Sequence, residues 1–287
     1  MKISNIIPFV LMALCLSAAC TPRNEQTDDQ TIYVSILPLR ELVQGIVGDD
    51  FPVEVLVPAG ASPETFEPTA RQYIGLNRAR LIFNVGLIDF ETTLLSKIEE
   101  QEKIVDLSRG IELIAGSCSH CSHGHVHAHG VDPHVWTSPR ALQRMAENAY
   151  EAIHRICPDS TKYTENHLRL QERLAELDRQ TGERIAASGV AYFLIYHPAL
   201  TYYARDYGLQ QIAIEEDGKE PSAHRIARLI AQARRDGVQR LFYQSQFPAS
   251  SVEVIASDIG AEAIRIDPLR EDIIAGIEEI THLITER

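Results

Sequence analysis

Positive charge is in short supply in this 287-residue chain: 27 lysines and arginines stand against 40 aspartates and glutamates, a net charge of −13. That deficit argues against binding nucleic acid or an anionic lipid surface through the folded protein, and it suits a protein that handles cations. Long apolar runs are scarce too. One lies at the N-terminus, and no later segment offers the roughly 20 apolar residues of a membrane-spanning helix. There is no short-period repeat. Neither HExxH nor GxSxG occurs, and no general base stands beside a pair of candidate ligands, which weakens the case for a zinc or serine hydrolase. Cysteine is limited to five residues, too few to staple a chain of this length.

The N-terminal run reads MKISNIIPFVLMALCLSAAC, with Lys2 its only charge. It has the form of a secretory signal peptide over residues 1–19. Its end, Leu16-Ser17-Ala18-Ala19-Cys20, resembles a bacterial lipobox, with Ser17 where leucine is usual. Lipidation of Cys20 would attach the protein to a membrane through a polar tether, residues 20–30. The competing reading is ordinary cleavage near Ala18 or Ala19. Either way the mature protein is extracytoplasmic, and periplasmic if the cell has an outer membrane.

Between Cys118 and His134 the chain reads CSHCSHGHVHAHGVDPH. His120, His123, His125, His127 and His129 crowd beside Cys118 and Cys121, and imidazole and thiolate are the side chains that bind transition metals near neutral pH. Cys118 and Cys121 are open to either role, a disulfide or thiolate ligands. Cys157, at a helix end before Pro158, reads as a buried, inert thiol. Glycine, serine and alternating histidine leave the loop little to bury, so it reads as an auxiliary metal-gathering segment.

The remainder alternates short β-branched apolar runs with helical patterns, which implies βαβ units and parallel sheets. Strands are expected at 32–37, 53–57, 81–85 and 103–106 in the first half, and at 191–196, 209–214, 240–244 and 263–266 in the second. The fold class is therefore α/β. The expected division is an N-terminal lobe over 31–138 with the His-rich loop at 117–130, linking helices over 139–188, and a C-terminal lobe over 189–287. The second linking helix, about 28 residues, would span about 42 Å, with no neighbouring segment supplying a bundle partner.

Ligands of parallel sheets bind at the carboxyl ends of the strands. Four donors stand there: Glu64, His134, His197 and Asp267. Two come from each half, so a cation they shared would sit between the lobes. Two carboxylates and two neutral imidazoles would neutralise a dication, and four ligands suit a closed zinc site. Each has a plainer role open to it: Glu64 as a helix cap, His134 as a structural histidine, Asp267 as a turn residue before Pro268. Glu67, Glu215, Glu216 and Asp217 are rival carboxylates, and spacing does not choose among them.

The segments VPAGASPETFEPTARQ, VDPHVWTSPRAL, YFLIYHPALTYYARDYGL, EEDGKEPSAHRIARLI and IRIDPL run in order across nearly the whole mature chain. Together they resemble the metal-binding solute-binding proteins of ABC transporters, the cluster that takes zinc or manganese. The resemblance implies two four-stranded βα lobes joined by one long backbone helix, a metal in the cleft between them, and delivery to a membrane permease. It carries His134, His197 and Asp267 over as ligands. Glu64 stands where members typically have histidine, which brings the donor set nearer to manganese chemistry, whereas the His/Cys loop argues for zinc. Zinc is the expected cargo, with manganese the alternative, and the expected state is a monomer. A zinc buffer, an adhesin or a zinc-dependent hydrolase remain as readings from other classes. An enzyme would be marked by a water in the fourth coordination position. A buffer would be marked by several metals per chain without an interlobe site.

Overall fold

The computed structural model describes residues 30–116, 130–215, 222–247 and 249–286. The signal segment with Cys20, the His-rich loop from Cys118 to His129, and the rival carboxylates Glu216 and Asp217 lie outside them.

Two four-stranded parallel sheets form the frame. The first contains β1 (Ile32–Val34), β2 (Val53–Val55), β3 (Leu81–Asn84) and β4 (Ile104–Asp106) in the order β2-β1-β3-β4. The second contains β5 (Tyr192–Ile195), β6 (Gln210–Ala213), β7 (Arg240–Gln244) and β8 (Glu262–Ile266) in the order β6-β5-β7-β8. In both, a central strand is followed first by a neighbour on one side and then by one on the other, so the crossover connections diverge. That divergence leaves a crevice at the carboxyl ends of the central strands. The central strands are covered on both faces, which is why they read as near-continuous apolar runs: Ile32, Val34, Ile82, Phe83 and Ile195 are fully buried.

The helices begin where side chains can take up free backbone N–H groups. In α2 (Ala70–Arg78), Thr69 and Gln72 form a reciprocal capping box. In α4 (Pro139–Ile156), Ser138 accepts from Ala141 N–H and Pro139 occupies the first turn. The first strand is shorter than its apolar run, because α1 (Leu37–Val47) starts with Pro38 in its own first turn. Helix α3 (Asp89–Leu95) is short, at seven residues.

Helix α5 (Thr161–Ser188) is the expected 28-residue strut and ends at Gly189, whose φ of 70° suits glycine. The expectation that it lacks bundle partners is wrong. Its apolar stripe, Tyr163, Leu170, Leu174, Leu177 and Ile185, is buried against α1, α4 and α9 (Ile273–Thr285). Polar bonds flank that stripe on every side: Asn166 donates to Ile46 O at 2.8 Å, Gln171 to Gln143 O at 2.9 Å, and Arg184 to Thr285 Oγ1 at 2.9 Å. The neighbouring α4 is one partner, while α1 and α9 come from segments distant in sequence, which local periodicity does not reveal. Cys157, the C-cap of α4, is only half-buried and is a free thiol. Among the described residues no helix is long and apolar enough to cross a membrane.

Candidate metal centre

Three of the four expected donors meet where the two sheets' carboxyl ends face each other. Glu64 comes from the loop between β2 and α2. His134 precedes a single 3-10 turn (Val135–Thr137) that leads into α4. His197 stands two residues beyond β5. One ligand atom of each lies within 4.8 Å of the others. His197 Nε2 is 3.3 Å from His134 Nε2 and 3.2 Å from Glu64 Oε1. Donors bound at about 2.0–2.1 Å around a tetrahedral zinc stand about 3.3–3.4 Å apart, so the spacing is that of ligands sharing one ion.

Each imidazole is held from behind by a carboxylate. Asp132 Oδ1 accepts from both His134 N–H and His134 Nδ1–H, each at 2.9 Å. Glu215 Oε2 takes Nδ1–H of His197 at 2.7 Å. These bonds fix the tautomer, so that Nε2 of both rings points to the shared space, and they strengthen the rings as donors. The motif DPHVW contains Asp132 two residues before His134, a signal available in the sequence. Glu215 follows from register. Ile195 pairs with Ala213 across β5 and β6, so two residues further on His197 and Glu215 stand side by side. The rival carboxylate is thus a partner of His197.

Asp267 is not brought into this cluster. It is exposed, and its Oδ1 accepts from Leu269 N–H at 3.0 Å, the bond of a turn residue. Register again supplies the reason. Ile195 pairs with Phe242 and Gln244 with Ile266, so the residues level with His197 are Gln244 and Ile266. Asp267 is one step further, and side chains alternate along an extended chain. Its neighbours Pro268 and Leu269 do line the cavity.

That cavity measures about 40 Å³ and is lined by Glu64, His134, His197, Gln244, Phe247 and Trp136 among others. His134 and His197 are 9% and 8% exposed, while the Glu64 side chain is about half exposed. Phe247 stacks on the His197 ring at 5.3 Å.

Contacts across the cleft hold the halves in place. Trp136 Nε1–H donates to Pro268 O at 2.9 Å, Tyr202 O–H donates to Asp132 O at 2.7 Å while accepting from Ile114 N–H, and Arg205 donates to Glu112 O at 2.7 Å.

Burial acts to lower the pKa of His197, but the carboxylates of Glu215 and Glu64 outweigh it and lift the value to about 9. The hydrogen bond from His197 holds the Glu64 carboxyl below its ordinary range. Burial alone would raise Asp132, and the bonds from His134 overrule it, so its pKa is lowered. In the metal-free site a proton on His197 therefore sits among the donors that a cation would share. One further carboxylate stands behind the N-terminal wall. Glu91 is fully buried, which lifts its pKa to about 7 although Val85, Gly86 and Ile88 N–H groups all donate to it.

Comparison with known proteins agrees with this architecture. The family model described as zinc-uptake complex component A, periplasmic, matches residues 32–281. The zinc-binding lipoprotein AdcA of Streptococcus pneumoniae strain R6 is 26% identical over 286 residues, covering 94% of this chain but 57% of AdcA, so the chain spans little more than half of that relative. The high-affinity zinc uptake system protein ZnuA of Bacillus subtilis is 28% identical over 265 residues, covering 88% of this chain and 83% of the relative. A crystal structure of ZnuA superimposes with a TM-score of 0.81 at 31% identity, covering 89% of this chain and 98% of that one. A zinc-bound deletion mutant of ZnuA gives the same TM-score and identity. With the family model covering nearly the whole described fold, this chain belongs to the family of periplasmic zinc-uptake component A proteins.

Proposed function

We propose that the protein captures one divalent transition-metal cation outside the cytoplasm, zinc in preference to manganese, and passes it to an ABC permease for import. The observation that carries this reading is the convergence of Glu64, His134 and His197 from both halves of the chain at tetrahedral donor spacing. Glu64 supplies one negative charge to the ion, and Asp132 and Glu215 supply two more through the rings. The buried dication is thereby offset without Asp267. To join, Asp267 would first have to release Leu269 N–H. Two imidazoles favour zinc, and zinc stands above manganese in the general order of divalent affinities. Lipidation at Cys20 would keep the protein beside its permease, and the His-rich loop would raise the local supply of zinc.

The test is metal analysis of tag-free protein purified without added metal, followed by competition between zinc and manganese. The expected result is one tightly held cation per chain, bound more strongly as zinc, and lost on His197→Ala. Several weak sites and no tight one would mark a buffer instead.

A further inference from the structure

Gln244 closes strand β7 and forms part of the cavity wall. It is 2% exposed. Its Nε2–H donates to His197 O at 2.9 Å, and since a carbonyl only accepts, that bond fixes which end of the amide is which. The other end, Oε1, is buried and has no hydrogen-bond partner among the described residues. A buried acceptor without a donor costs about 1–3 kcal/mol. Such a group in a native fold calls for an explanation, here in a residue that lines the same cavity as Glu64, His134 and His197.

We infer that Gln244 is a positioning residue of the metal site: its Oε1 accepts a hydrogen bond from a water that the cation keeps as its fourth ligand. This rests on the proposed metal-binding role of Glu64, His134 and His197. Three protein donors leave a fourth position in a tetrahedral shell. A water there has polarised O–H bonds and binds best with an acceptor beside it. Gln244 meets that need because the strand register sets it level with His197. An amide oxygen accepts a hydrogen bond but does not take up a proton. A water in the fourth position is also the mark of a hydrolytic site, and the difference here is that the group beside it is an amide and not a general base.

The experiment compares the zinc dissociation constants of the wild-type chain, Gln244→Met, Gln244→Glu and Asp267→Asn, alongside the absorption spectra of their Co²⁺ forms. Gln244→Met removes both the donor and the acceptor. Gln244→Glu removes the donor to His197 O and keeps an acceptor. The inference expects zinc binding about 3- to 10-fold weaker in Gln244→Met, the equivalent of one net hydrogen bond. It expects wild-type affinity or better in Gln244→Glu and an unchanged constant in Asp267→Asn. The Co²⁺ spectrum should be four-coordinate in the wild type and altered in Gln244→Met. Equal weakening in the Met and Glu variants would show that only the bond to His197 O matters, and would overturn the inference. So would an unchanged Met variant, or loss of tight binding in Asp267→Asn, which would put that carboxylate in the fourth position. Should Gln244→Met fail to fold, Gln244→Glu decides alone: affinity below wild type refutes the acceptor role. Failure of the wild type itself to bind one zinc would instead refute the metal site as a whole.

Discussion

Metal binding should expel close to one proton per cation at neutral pH, and the apparent affinity should climb about tenfold per pH unit between pH 7 and 8.5. The reason lies in His197. Burial opposes its protonation, yet Glu215 and Glu64 lift its pKa to about 9, and the ring is only about a tenth exposed. At pH 7 roughly 99% of the metal-free molecules carry that proton. Removing it two units below the pKa costs about 2.7 kcal/mol, so the observed constant should be about 100-fold weaker at pH 7 than above pH 9. A histidine at the reference value of about 6.5 would behave differently: affinity would be nearly flat above pH 7 and would fall only below about pH 6. Zinc titrations by calorimetry in buffers of differing ionisation enthalpy count the protons released, and competition against a chelator of known pH dependence gives the slope. Release of less than about 0.3 proton at pH 7.5, with affinity flat from pH 7 to 8.5, would refute the coupling of His197 to its two carboxylates.

The same shift governs the metal-free fold. A histidine whose folded pKa exceeds its unfolded value stabilises fully below about pH 6.5, and loses that contribution as pH rises through about 9. The unfolding free energy of metal-free protein, from denaturant titrations, should therefore fall over that window by up to about 3 kcal/mol. Glu64→His replaces a hard oxygen donor by imidazole and should raise the ratio of zinc to manganese affinity, read by competition; an unchanged ratio would place Glu64 outside the coordination shell. Glu91→Ala leaves three backbone N–H groups without their acceptor and should cost about 3 kcal/mol or more in urea unfolding. Deleting residues 118–129 should leave the tight site intact while removing weaker ones, measured as zinc bound per chain; loss of the tight site would show that the loop supplies a primary ligand.

Most of the frame was legible in the sequence because parallel strands buried on both faces are short unbroken apolar runs, and all eight appear within a few residues of their expected places. His197 was legible because a polar donor directly beyond such a run has little structural work to do, and His134 through the DPHVW motif. What was not legible depended on pairing. The Glu215–His197 bond, the level of Gln244 and the displacement of Asp267 all follow from the register of β5 with β6 and β7 and of β7 with β8, and one-residue differences in register exchange one face for the other. The packing of α5 was hidden for a similar reason, since α1 and α9 lie at opposite ends of the chain.

The central claim is that one cation lies between the lobes on Glu64, His134 and His197. Diffraction from crystals of the zinc-loaded protein, recorded on both sides of the zinc absorption edge, tests it directly. The account predicts a single strong anomalous peak within about 2.0–2.2 Å of Glu64 Oε1 and of Nε2 of both histidines. A principal peak elsewhere, or an ion held without His197, would contradict it.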